Sequence, residues 1–77
     1  MLLTTDFVTD FTASIASDEG VTVPATFDAQ ELINSVYAVK FVFGRGWSHL
    51  SNEERDQARI EHIGHNLLVE VYRLLGI

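Results

Sequence analysis

The sequence predicts an all-α fold: a compact three-helix domain with helices at about 4–17, 28–43 and 51–75, and an extended strap at 21–27. Three observations predict it. Apolar residues recur at helical spacing in three separate segments. Each segment opens on a residue suited to cap a helix. Between them lie two breaks, one holding Gly20 and Pro24, the other Gly44 and Gly46. No repeat or long linker divides the chain, so residues 1–77 read as a single small helical domain.

The first helix begins at Thr4 or Thr5, with Asp6 in its first turn where the helix dipole favours a carboxylate. Phe7, Val8, Phe11 and Ile15 mark its apolar side. Its threonines have low helix propensity, so it needs tertiary support. Gly20 is placed to end it in the left-handed conformation. Pro24 then forbids helix and pushes Val23 towards extended geometry, which makes 21–27 a strap with Val21 and Val23 against the core.

Asp28 caps the second helix, with Glu31 three residues on and Phe27 placed to pack on Leu32. Ala29, Leu32, Val36, Val39 and Phe43 make one stripe. Ile33, Tyr37 and Phe41 make a second, and Ala38 and Val42 fill a third side. A helix apolar nearly all round is expected to be buried nearly all round, and so to be the central element. Lys40 is its lone cation, its stem lying along apolar surface towards water. The run VYAVKFVF also favours strands, which leaves an alternative: a helix ending near Asn34 and a strand over 35–43 paired with 21–23. The cap and the lack of a breaker favour the continuous helix.

The third helix opens on Ser51, with Glu54 completing a capping-box pattern, and stops at Gly76. Ile60, Ile63, Leu67, Val71 and Leu74 form its core face, flanked by Leu68 and Leu75. Gly64 lies near that face, and the helix stability it forfeits suggests a close helix approach there. Ala58, His62, His65, Val69 and Tyr72 recur at 4-3-4-3 spacing on the other side, the spacing of a coiled-coil seam. A purely solvated side would carry Lys, Glu and Gln instead, so this second stripe is the expected partner or dimer interface. Neutral histidines buried in such a seam would make assembly weaken in acid.

Composition points the same way. Of 77 residues, 47% are hydrophobic and none is cysteine. So small a domain buries its apolar groups with difficulty, and no disulfide staples it, which favours self-association or a protein partner. The missing cysteines fit a reducing, cytoplasmic location. No segment has the length and apolarity of a membrane span, and the first residues lack the basic start of a signal peptide.

The net charge is −6, and residues 1–31 hold six acids with no Lys or Arg. Direct nucleic-acid binding is disfavoured, because phosphates need a basic surface. An acidic surface at Asp6, Asp10, Asp18 and Glu19 suits a larger basic protein instead, including one whose nucleic-acid groove an acidic decoy or inhibitor would block.

Chemistry is hard to find. His62 and His65 stand three apart beside Glu61, unlike the four-residue spacing with an intervening Glu in a zinc protease helix. A stable zinc site wants more ligands, so metal binding through His62 and His65 is only a minor alternative, and His49 is distant from both. No nucleophile, paired carboxylate or phosphate-cradling loop accompanies the histidines. The expectation is a non-enzymatic protein, with no catalytic residues, cofactor or resident metal. Arg45 and Trp47 are possible partner contacts, since both residue types anchor interfaces. The plainer reading of Trp47 is a plug at the corner between the second and third helices.

Overall fold

The computed structural model describes residues 2–39, 44 and 46–77. It is all-α, with helices α1 (Thr5–Glu19), α2 (Ala29–Ala38) and α3 (Asn52–Leu75), and a short 3-10 turn at Trp47–His49. No strand occurs among the described residues.

Local chemistry sets the boundaries. Thr4 Oγ1 accepts from Phe7 N at 3.1 Å to cap α1. Gly20, at φ 69°, closes it: Gly20 N donates to Ser17 O and Val21 N to Ala16 O, at 3.3 and 2.9 Å. Asp28 Oδ1 accepts from Gln30 N and Glu31 N at 2.9 and 3.2 Å to start α2. At α3, Ser51 Oγ accepts from Glu54 N at 3.2 Å while Glu54 Oε1 accepts from Ser51 N at 3.0 Å, a complete capping box. Gly76, at φ 75°, closes α3 as Gly20 closes α1.

The core is one cluster. Val8 and Ala16 of α1, Leu32, Ile33 and Val36 of α2, and Leu67, Val71 and Leu75 of α3 are buried, with Leu3 closing one end. Leu3 N donates to Tyr37 Oη at 3.0 Å, which fixes the start of α1 beside the end of α2. Residues Phe27–Leu32 share a cleft with Glu70–Leu74, so α2 starts where α3 finishes and the two run antiparallel. α2 packs against both other helices and is the central element, as its pattern predicts.

Six expectations need correction. α2 ends at Ala38, and Val39 is extended at φ −74°, ψ 120°, so the helix does not continue at that residue. Val36, Tyr37 and Val39 are β-branched or aromatic types that lose side-chain freedom in a helix, and no capping glycine holds its last turn. The expected remainder, Lys40, Phe41, Val42 and Phe43, lies outside the described residues. The strand alternative fails too, since Ser35–Ala38 are helical.

Nor is α2 buried all round: only Leu32, Ile33 and Val36 are, while Tyr37, Ala38 and Val39 are exposed. Among the described residues helices pack on α2 from two sides, and Ala38, on its third side, is exposed. On α3, Ile60 is exposed although it continues the core stripe. The 24 residues of α3 span roughly 36 Å and the 10 of α2 roughly 15 Å. The first half of α3 therefore projects beyond its partner, in a molecule 44 Å long and 21 by 18 Å across.

Finally, a Cβ built at Gly64 meets no heavy atom within 4 Å among the described residues, so no close helix approach is seen there. In the strap Val23 and Phe27 pack on the core, while Val21 faces solvent.

Candidate functional site

The second stripe of α3 does lie off the core, but the fold divides it. Ala58 and His62 are half-buried, whereas His65, Val69 and Tyr72 are exposed. Val69 and Tyr72 keep 38% and 36% of their surface open. They stand a helical turn apart beside His65, on the half of α3 whose opposite face is locked into the core by Leu67, Val71 and Leu75. That half is therefore rigidly held while its outer flank stays available.

His62 has an intramolecular partner that spacing alone does not name. Asn66, one turn on and 7% exposed, places Nδ2 3.1 Å from His62 Nε2. Among the described residues no group of three or more His, Cys, Asp or Glu converges on a point. His49, in the 3-10 turn, is exposed.

Trp47 is half-buried against the first turns of α3. Arg55 reaches back to the 3-10 turn: Nε donates to Trp47 O and Nη2 to Ser48 O, each at 3.2 Å. The guanidinium carbons of Arg55 and Arg59 lie 6.0 and 5.4 Å from the indole centroid, within cation–π range. Arg59 also pairs with Asp56 at 3.0 Å. The indole thus staples the turn onto the projecting part of α3. Arg45 lies outside the described residues.

Asp6, Asp10, Asp18 and Glu19 are all exposed, as are Asp28 and Glu31. No Lys or Arg occurs before residue 40, so α1 and the segment leading into α2 carry acids without a base of their own. Hydrogen bonds from the backbone and side chain of Ser51 hold the pKa of Glu54 below the ordinary 4.5.

Two further features escape a sequence reading. A cleft of about 360 Å³ opens between the start of α2 and the end of α3. Asp28, Glu31 and Glu70 line it with Arg73, whose Nη1 is 3.1 Å from Glu70 Oε1. Phe7, assigned to the core side of α1, is instead 50% exposed and stacks on Phe11, with centroids 5.9 Å apart and planes 17° from parallel.

No family model matches the chain, and no curated protein or solved structure is significantly similar to it. No helix among the described residues is long and apolar enough to cross a membrane.

Proposed function

We propose that this chain is a small non-catalytic interaction module that associates with a second copy of itself through the outer flank of α3. The observation that carries the reading is the exposure of Val69 and Tyr72 beside His65, at the spacing of a helix–helix seam, on a segment held rigid by the core behind it. The half-buried Ala58 and His62 extend the stripe towards the projecting end of α3. A rigid helix loses little conformational entropy on docking, which lets a modest apolar flank suffice.

Sedimentation velocity over a wide concentration range tests this. The wild-type chain should show a concentration-dependent dimer. Val69→Glu should be monomeric with unchanged helicity, because a carboxylate in the seam would be buried without a partner. A wild-type monomer at every concentration overturns the proposal.

A second reading has its own support: six exposed carboxylates and no base across residues 1–39 suit a basic partner, including a decoy role at a nucleic-acid-binding groove. Salt should weaken such capture, and reversing Asp6, Asp10, Asp18 and Glu19 should abolish it. Capture that survives both treatments overturns this second reading.

A further inference from the structure

We infer that the Phe7–Phe11 stack on α1 is the apolar anchor of that acidic surface, and that its occupant is a basic amphipathic segment of a partner protein. The inference rests on the second reading above, in which the acidic flank meets a basic protein. Phe11 packs against the core, and Phe7 lies on it one turn earlier with half its surface in solvent. The fold has no use for an exposed phenylalanine there, since Val8, Thr12 and Ala16 already form the buried ridge of α1.

At about 100° per residue, Asp10 and Asp6 border Phe7 on the side away from the core, and Asp18 continues the Phe11 row two turns on. An exposed ring edged by carboxylates matches an apolar side chain edged by Arg or Lys. The cations pair with the acids, and a guanidinium can lie on the open part of the Phe7 ring.

Charge excludes the other occupants. A second copy docking α1 on α1 would set Asp6, Asp10 and Asp18 against their own counterparts. Nucleic acid and anionic lipid are repelled by the same groups. The self-association proposed for α3 uses another helix and leaves this surface open.

The test uses the full chain, labelled with nitrogen-15, titrated with a helical peptide of Leu and Arg and with a matched peptide carrying Ser in place of Leu. Amide shifts spanning Asp6–Phe11 should move with the Leu–Arg peptide, and the Ser–Arg peptide should bind about tenfold more weakly. Phe7→Ser should weaken the Leu–Arg peptide by a similar about tenfold. Phe7→Tyr should restore binding, and both variants should keep wild-type helicity because the side chain is half-exposed.

Equal affinity for both peptides and no effect of Phe7→Ser, with weakening by Asp6→Asn and Asp10→Asn, overturns the aromatic anchor and leaves the acidic reading standing. Shifts confined to α3, or none at all, overturn both.

Discussion

Thr12 offers a direct test of how α1 is held. It is 0% exposed, between Val8 at 0% and Ala16 at 3% on the same ridge. Its Oγ1 is buried with no hydrogen-bond partner. Thr9, three residues earlier and exposed, instead donates its hydroxyl to Thr5 O at 2.7 Å. A buried hydroxyl without a partner costs about 1–3 kcal/mol in lost hydration.

Thr12→Val replaces that hydroxyl by a methyl of nearly the same size. The β-branch remains, so side-chain freedom and helix propensity barely change. The expected gain is about 1–2 kcal/mol, with the thermal midpoint rising about 4–8 °C for each kcal/mol in a domain of this size. Thr12→Ser is the counter-test. It keeps the unpartnered hydroxyl, removes a buried methyl and should lose about 1 kcal/mol.

Urea unfolding followed by circular dichroism, at one fixed protein concentration, measures both. Opposite shifts of the midpoint at a common slope are expected. A Val variant less stable than wild type, with the slope unchanged, would refute the reasoning by showing that the hydroxyl is satisfied in solution.

Other perturbations address separate parts of the molecule. Gly64→Ala should stabilise the chain by about 1 kcal/mol, because the new methyl meets nothing within 4 Å and removes the helix cost of glycine; a lowered thermal midpoint would place an unseen neighbour there. Ser51→Ala should lower the midpoint by removing the acceptor for Glu54 N, at a cost of about 1 kcal/mol.

The depressed pKa of Glu54 makes its contribution fully present above pH 4.5 and lost as pH falls through the lower folded value. Glu54→Gln, which keeps an acceptor but cannot titrate, should flatten that acid limb relative to wild type; identical pH profiles would contradict the assignment. Arg55→Ala should red-shift Trp47 emission without lowering helicity, since the indole loses one of its two cations and the 3-10 turn its tether. The chain has one tryptophan, so the fluorescence reports on that site alone, and an unmoved emission maximum would refute the tether.

What the amino-acid order determined by itself is local. The caps at Thr4, Asp28 and Ser51 and the glycine stops at Gly20 and Gly76 depend on groups a few residues apart, and all five stand where the sequence places them. The three helices follow, and so does the central place of α2, because its pattern offers apolar residues on more than one side.

Tertiary structure decided the rest. Periodicity says which residues share a side, but not how far a neighbouring helix reaches along it. Ile60 and Leu67 belong to one stripe, yet only Leu67 is covered, because α2 is too short to reach Ile60. Phe7 and Val8 are adjacent and both apolar, and the direction from which α2 approaches α1 buries one and leaves the other in water. The stripe of His62, His65, Val69 and Tyr72 was legible as a set, while its division into a half-buried His62 tied to Asn66 and an open Val69–Tyr72 flank was not. Burial is a property of the pair of surfaces that meet, and a single helix carries only one of them.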